Sequence, residues 1–144
     1  MTTCSEVMTA SPTFCLPDHT ASYVARIMRD EDIGSVPIIE NLNTRKLVGI
    51  VTDRDLTLKV IAENRDGQSV TLNEVMSRNP VTCRENEDID RAMQAMADHQ
   101  VRRIPIVNER NELVGIIAQA DIATRTEQPR KTAAVVEDIS KPNG

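Results

Sequence analysis

The chain has 144 residues, of which 40% are hydrophobic, and its formal net charge at pH 7 is −5. This length allows one hydrophobic core or two smaller cores that support each other, while the acidic charge opposes binding to nucleic-acid phosphates, which needs clustered Lys and Arg. Phe14 and Tyr23 are the only aromatic residues, so no set of rings is available on which single-stranded bases could stack.

Hydrophobic periodicity predicts an extended stretch, a helix and two strands in the first third of the chain. The extended stretch is 13–15, and the helix runs from 20 to about 30. Five apolar residues are predicted to share the inward face of this helix: Ala21, Val24, Ala25, Ile27 and Met28. Two adjacent strands follow at 35–39 and 46–51, joined by a polar turn.

A second helix completes this unit, and the same order of elements then recurs. The helix begins at Thr52 or Asp53 and is predicted to turn three apolar residues inward: Leu56, Val60 and Ile61. The connector is 69–76. In the second copy the first strand is predicted at 81–83 and the helix at 88–99. The two adjacent strands are predicted at 103–107 and 113–118, and the closing helix from about Gln119. Residues 127–144 are predicted to be a flexible tail.

An internal repeat explains this recurring order. Glu6-Val7-Met8-Thr9 returns as Glu74-Val75-Met76-Ser77 at an offset of 68, and Leu47-Val48-Gly49-Ile50 returns as Leu113-Val114-Gly115-Ile116 at an offset of 66. The offset falls because the turn at 41–45 is two residues longer than its counterpart. We therefore predict an α/β (α+β) fold of two β-α-β-β-α repeats, 1–68 and 69–126, related by a pseudo-twofold axis with clefts between them.

The cysteines and histidines give no disulfide or metal signature. Cys4, Cys15 and Cys83 are odd in number and lack a Cys-x-x-Cys spacing. Cys15 and Cys83 occupy equivalent positions of the two repeats, so we interpret them as small buried residues at strand ends rather than as redox or metal-binding groups. His19 and His99 are not equivalent, and no metal site is predicted.

The order, spacing and duplication of these motifs resemble a tandem pair of CBS domains, named after cystathionine β-synthase and also called a Bateman module. The shared features are the Val-Met-Thr opening at 7–9, the Val-Pro-Ile-Ile and Ile-Pro-Ile-Val strands that begin at Val36 and Ile104, and the Gly-Ile-Val-Thr-Asp-Arg-Asp segment at 49–55. The resemblance spans about residues 5–125. It implies a stand-alone module that binds AMP, ADP, ATP or S-adenosylmethionine as a regulatory ligand in the clefts between its repeats.

The resemblance implies that one cleft has the polar groups needed to bind a nucleotide. Thr52, Arg54 and Asp55 match the family's Ser/Thr-x-x-Asp pattern, in which the carboxylate accepts charge-assisted hydrogen bonds from both ribose hydroxyls. The Thr52 hydroxyl and free backbone N–H groups at the start of the helix suit a phosphate. The alternative is that Thr52 or Asp53 only caps the helix.

The resemblance also implies which residues of the second repeat complete this cleft: Val81, Thr82, Cys83, Arg102, Arg103, Ile104 and Pro105. Backbone groups of 81–83 would read the adenine edge, Ile104 and Val51 would supply apolar contact, and the two arginines would reach the phosphates. The alternative for Arg102 and Arg103 is an exposed ion pair with Glu109 or Glu112, which would contribute little energy.

The opposite cleft is predicted to be degenerate. Ala118 and Ala120 stand where the first repeat has Thr52 and Arg54, so the second repeat loses the hydroxyl and the cation. The residues that would remain there are Asp121, Phe14, Cys15, Gly34 and Ser35, with no cation among them. We expect one competent site and one weaker site.

Three classes of function follow, in decreasing order of support. The first is a regulatory module that senses an adenine nucleotide and signals to an unknown protein effector in trans. The second is a dimeric interaction or scaffold protein with vestigial nucleotide sites, since the resemblance implies a homodimer formed through helices. The third is an enzyme, but no nucleophile–base pair and no Gly-rich phosphate loop stands out.

The expected location of the protein is the cytoplasm. No run of about 18 apolar residues is present, so no membrane-spanning helix and no membrane partner are predicted. No basic stretch followed by an apolar one stands at the N-terminus, so no secretory signal is predicted.

Overall fold

A computed structural model describes residues 1–125 of the chain and divides them into two units. One unit is Thr13–Pro80, and the other combines Met1–Pro12 with the chain from Val81 onwards. We call them the Asp55 unit and the Asp121 unit, after the carboxylate of the repeated motif that each contains. The predicted tail, 127–144, lies outside the described residues.

The mixed α and β composition is confirmed, but the extended stretch predicted at 13–15 is not a strand, because only Cys15 forms a single bridge there, with Ile38. In chain order the elements are α1 (Cys4–Val7), β1 (Thr9–Ala10), α2 (Ala21–Glu31), β2 (Ser35–Ile39), β3 (Leu47–Thr52), α3 (Asp53–Leu56), a π-helical turn (Thr57–Ile61), α4 (Leu72–Val75), β4 (Ser77–Arg78), β5 (Cys83–Arg84), α5 (Ile89–His99), β6 (Arg103–Val107), β7 (Leu113–Ala118) and α6 (Gln119–Arg125).

In the Asp55 unit, β2, β3 and β4 form an antiparallel sheet in that order. Helix α2 begins where the Thr20 hydroxyl accepts a hydrogen bond from the Tyr23 N–H at 3.2 Å, and it ends at Asp32, which adopts a left-handed conformation with a φ of 55°. The aliphatic core of this unit joins the helix to the sheet and the connector: Cys15, Ala21, Val24, Met28, Val36, Ile38, Val51, Val60, Val70, Leu72, Val75 and Met76.

The predicted inward face of the second helix is wrong at Ile61. This side chain is 70% exposed, whereas Val60 is buried and Leu56 is half-buried. Ile61 directly follows the buried Val60 at the end of the π-helical turn Thr57–Ile61, and successive residues of a helix point about 100° apart, so the two side chains do not share one face. Ala25, predicted to face inward on α2, is also exposed.

In the Asp121 unit, the sheet order is β1-β7-β6-β5, and only the β5–β6 pair is parallel. Helix α5 begins where the Asp88 carboxylate accepts a hydrogen bond from the Asp90 N–H at 2.9 Å. The strand predicted at 81–83 is Cys83–Arg84 in the structure, so Val81 and Thr82 lie in the segment before it. The core of this unit consists of Cys4, Val7, Cys83, Ile89, Ala92, Met93, Met96, Ile104, Ile106, Ile117 and Ile122.

Each repeat contributes its opening segment to the unit that contains the main sheet of the other repeat. Strand β1 pairs with β7, and β4 pairs with β3, both antiparallel. The methionine before each of these short strands covers a glycine of the strand that it joins, with Met8 against Gly115 and Met76 against Gly49. Each glycine is needed because a Cβ there would meet the methionine side chain.

Candidate functional site

The strand-to-helix junction of the Asp55 unit holds a carboxylate in a fixed position. Thr52 is the last residue of β3 and the N-cap of α3. Its hydroxyl oxygen accepts a hydrogen bond from the Asp55 N–H at 3.1 Å, and its own N–H donates to Asp55 Oδ2 at 3.0 Å. This reciprocal pair satisfies two backbone donors at the helix start and orients the Asp55 side chain. Of the two residues considered as the cap, Thr52 is therefore the one that caps α3.

Lys59 supplies a positive charge to this carboxylate. Its Nζ lies 3.1 Å from Asp55 Oδ1 and also donates to the backbone oxygen of Val75 at 2.9 Å. The Asp55 side chain is only 14% exposed, so a cationic neighbour offsets part of the cost of holding a charged group away from water. Sequence reasoning missed Lys59, although the i,i+4 spacing from Asp55 on a predicted helix was a signal that could have found it.

The prediction of free backbone N–H groups at this helix start is wrong. The Asp53 N–H donates to the Gly34 oxygen at 2.9 Å, the Arg54 N–H donates to Asp53 Oδ1 at 2.8 Å, and the Asp55 N–H is held by Thr52. One backbone oxygen and two side-chain oxygens therefore take up the donors that a phosphate would need. Any anion near this junction would depend on side-chain cations instead.

Arg54 is such a cation. Its side chain is exposed, and no hydrogen bond or ion pair of its guanidinium occurs within residues 1–125. Because it stands one residue before Asp55, it brings a positive charge to the same strand-to-helix junction.

The Asp121 unit repeats this junction with fewer polar groups. Asp121 Oδ2 accepts a hydrogen bond from the Ala118 N–H at 3.0 Å, which matches the bond between Asp55 and Thr52. The Gln119 N–H donates to the Arg102 oxygen at 2.9 Å, which matches the bond between Asp53 and Gly34. Ala118 has no hydroxyl, as the sequence indicated, so this junction lacks the reciprocal cap.

Arg102 and Arg103 lie beside that junction, because Arg103 pairs with Ala118 across β6 and β7. The Arg102 side chain is exposed and forms no ion pair with Glu109 or Glu112, since within residues 1–125 the partner of Glu112 is Arg110, at 3.9 Å. The exposed ion pair considered for Arg102 is therefore absent from the described part of the chain.

The residues predicted to contact the base differ in their accessibility. Cys83, Ile104, Pro105 and Val51 are buried, and Ile104 and Val51 are 0% exposed within their cores. Val81 and Thr82 are half-buried. Direct contact with a ligand is therefore open to Val81 and Thr82, while the buried residues hold the adjoining strands in place. The assembly of these residues with Asp55 into one cleft stays a prediction.

A cation outside the predicted set lies beside one residue of the weaker set. The guanidinium of Arg45 lies over the ring of Phe14, 5.1 Å from the centroid, at a distance typical of a cation–π contact. Cys15 is buried, and Ser35 is half-buried at the start of β2. Sequence comparison of the repeats missed Arg45 because it belongs to the longer turn, which has no full counterpart in the second copy.

The described residues offer neither a metal-binding cluster nor a membrane-spanning helix. Among residues 1–125, no group of three or more His, Cys, Asp or Glu side chains is placed to hold a metal ion. Across the same range, every helix is too short or too polar to cross a membrane.

Comparison with known proteins agrees with this geometry. A family model described as the CBS domain matches the chain twice, at residues 4–62 and 72–126. The CBS domain-containing protein YhcV of Bacillus subtilis (strain 168) is 35% identical over 143 residues, which cover 99% of each chain.

Two solved structures also resemble the chain. Hypoxic Response Protein I, solved with two coordinated zinc ions, is 34% identical with a TM-score of 0.78, and the match covers 87% of this chain and 99% of that one. The CBS domain pair of protein MJ0100, solved in complex with 5′-methylthioadenosine and S-adenosyl-L-methionine, is 27% identical with a TM-score of 0.72, and the match covers 86% and 94% of the two chains.

Proposed function

The chain belongs to the CBS domain family, and on that basis we propose that it is a regulatory module that binds AMP, ADP, ATP or S-adenosylmethionine and signals to a partner protein in trans. The observation that carries this proposal is the Asp55 carboxylate, which is held in one orientation by Thr52 and is only 14% exposed. The MJ0100 domain pair supports it, because both of the ligands in its complex contain an adenosine moiety.

The acceptor capacity of Asp55 fits a ribose. An ionised carboxylate has about four acceptor positions, two on each oxygen. Among the described residues, the Thr52 N–H uses one position on Oδ2 and Lys59 uses one on Oδ1. One position on each oxygen is left, which is the number that the two hydroxyls of a ribose require.

The proposed site combines this carboxylate with cations and with the segment before β5. Its members are Thr52, Arg54, Asp55, Val81, Thr82, Cys83, Arg102, Arg103, Ile104 and Pro105. Arg54 and Arg102 are the groups proposed to meet phosphates, because both guanidinium groups are exposed and form no ion pair within residues 1–125. A weaker second site is proposed around Asp121 with Phe14, Cys15 and Ser35, to which Arg45 adds a charge.

Calorimetric titration of the nucleotide-free protein with AMP, ADP, ATP and S-adenosylmethionine tests this function. We expect saturable binding of at least one of them, at about one site per chain, which the Asp55→Ala variant loses. Phosphate contacts from Arg54 and Arg102 would favour the nucleotides over S-adenosylmethionine, since Arg binds phosphate through charge-assisted hydrogen bonds. If a folded protein gives no heat with any of the four, the function proposed here is wrong.

A dimeric scaffold is the second candidate, and exposed apolar side chains near the end of the π-helical turn favour it. Leu58 is 46% exposed and Ile61 is 70% exposed. Large exposed apolar groups on one helical segment are available for a protein contact, and a closed twofold dimer is the commonest oligomer. We propose a homodimer in which this helical segment is part of the interface.

Replacing Ile61 by Lys is expected to shift such a dimer towards the monomer, because a charge would have to be buried on association. Light scattering coupled to size exclusion measures the mass. The matched control is Leu42→Lys, which places the same charge at a 61% exposed leucine of the turn between β2 and β3. If both variants keep the mass of the parent protein, this segment is not part of an interface.

A further inference from the structure

Two of the three cysteines lie together in the core of the Asp121 unit. Cys4 is the first residue of α1 and Cys83 is the first residue of β5; they are 0% and 5% exposed and belong to one hydrophobic cluster. The opening segment is held there by the backbone, since the Cys4 and Ser5 N–H groups donate to the oxygens of Glu87 and Glu85, each at 2.9 Å. This places the Cys4 side chain against the beginning of β5.

The internal repeat shows that packing alone does not require a thiol at position 4. The repeat equivalents of Cys4 and Cys83 are Leu72 and Cys15, and both are 0% exposed in the core of the Asp55 unit. An aliphatic side chain therefore fills the same position in the other copy. Only the Asp121 unit has a cysteine in both places.

The two thiols lie in one buried cluster and interact with each other, and this interaction makes them chemically unequal. The interaction raises the pKa of Cys4, and burial raises it further. The same interaction lowers the pKa of Cys83. The lowered pKa makes Cys83 the more readily ionised of the two thiols. A thiol of lowered pKa next to a second cysteine is the arrangement found in reversible redox sites.

We propose that Cys4 and Cys83 form a reversible disulfide, which makes this cluster a redox site that fastens the opening segment to the Asp121 unit. This proposal does not depend on nucleotide binding. The sequence did not indicate this redox site. The repeat aligns Cys83 with Cys15, whereas the cysteine that lies near Cys83 in the structure is Cys4.

The reaction balances with a small disulfide such as oxidised glutathione as the oxidant. The Cys83 thiolate attacks one sulfur of that molecule, which forms a mixed disulfide and releases one glutathione thiolate. Cys4 then loses its proton and attacks the Cys83 sulfur, which releases the second glutathione. Two protein thiols are oxidised to one disulfide, and one oxidised glutathione is reduced to two thiols.

Burial sets the rate of this reaction rather than preventing it. The oxidant reaches Cys83 only when α1 loosens from the unit, and α1 is a helix of only four residues. Local opening of one short element costs less free energy than unfolding of the whole domain. The resulting bond would close a loop from residue 4 to residue 83 that contains the entire Asp55 unit. A cross-link of that length strongly restricts the unfolded chain.

The full-length protein can be tested in glutathione buffers that span reducing to oxidising ratios, followed by alkylation under denaturing conditions and mass spectrometry. We expect the oxidised sample to lose two alkylation sites, to yield a cross-linked peptide pair containing Cys4 and Cys83, and to unfold at a higher urea concentration. Dithiothreitol should reverse all three changes. Cys15 should stay reduced and so remain open to alkylation after denaturation. Burial raises its pKa to about 11, which keeps it in the thiol form that does not attack the oxidant.

Matched variants separate the disulfide from a packing effect. Cys15→Ser should leave the cross-link in place, whereas Cys4→Leu, which introduces the residue found at the equivalent position 72, should abolish it. Cys4→Ala serves the same purpose if the larger side chain disturbs the fold. The proposal is overturned if the parent protein keeps three alkylatable thiols in oxidising buffer, or if oxidation stops at glutathione attached to Cys83.

Discussion

Replacing Asp55 by Asn is expected to weaken binding of the nucleotide found by titration by roughly 100-fold or more, because hydrogen bonds to a charged group contribute about 1.5–3 kcal/mol each and two are lost or weakened. The amide keeps one oxygen that can still accept the Thr52 N–H, so the helix cap and the fold should survive. Titration calorimetry measures the affinity, and urea unfolding verifies that the variant is folded.

The matched control is Asp53→Asn, which removes the same charge two residues away. Asp53 is exposed, and its carboxylate accepts a hydrogen bond from the Arg54 N–H. We expect its affinity to stay within about threefold of the parent protein, since an exposed charge at this distance is screened by water. An equal loss in both variants would mean that net charge, and not the Asp55 carboxylate, determines binding.

A 2′-deoxy ligand tests the assignment of Asp55 to the ribose. The parent protein should bind the 2′-deoxy form of its ligand more weakly, because one hydroxyl can no longer donate to the carboxylate. In Asp55→Asn, removing the same hydroxyl should cost much less, because the interaction has already been weakened. Penalties that simply add would show that Asp55 and the 2′-hydroxyl act independently.

Much of the fold follows from the sequence because the local signals agree with one another. The helices at Ala21–Glu31 and Ile89–His99 were predictable from apolar spacing. The strand pairs were predictable from short β-rich runs on either side of a polar turn. These elements depend on neighbours within a few residues, which a single sequence records directly.

Which segments of the chain form each of the two units was not predictable in the same way. Both repeats open with nearly the same residues, Val-Met-Thr at 7–9 and Val-Met-Ser at 75–77. Either opening could pair with either main sheet as far as the pattern shows. The choice depends on long-range pairing, which places β1 against β7 and β4 against β3.

The candidate site shows the same limit. The sequence identified Thr52 and Asp55 correctly as a matched pair at a strand-to-helix junction. It did not show that Asp53 and Gly34 would occupy the backbone groups expected to be free, because those bonds depend on where strand β2 begins. It also did not predict the contact between Arg45 and Phe14. Arg45 belongs to a turn that has no full counterpart in the second repeat, so comparison of the repeats could not locate it.

Replacing Gly115 by Ala is expected to destabilise the Asp121 unit by about 1–3 kcal/mol, which is typical of overpacking at a filled position. A Cβ added at Gly115 would collide with the sulfur of Met8. It would also lie 2.7 Å from the Met8 Cγ and 3.1 Å from the Met8 Cβ. The flexible end of a methionine can move aside, but its Cβ is fixed to the backbone of the opening segment. The new methyl group therefore pushes on the contact that holds β1 against β7. Urea unfolding measures the loss.

Gly34→Ala is the matched control, since the three atoms nearest to a Cβ at Gly34 all belong to the exposed carboxylate of Asp53, the closest at 3.2 Å. That side chain can rotate, so we expect a change of no more than about 0.5 kcal/mol. Combining Gly115→Ala with Met8→Ala provides a stricter test. If the methyl group and the methionine compete for one space, the double variant should be more stable than the sum of the single losses predicts. Additive losses would mean that Gly115 is required for a reason other than the room it gives to Met8.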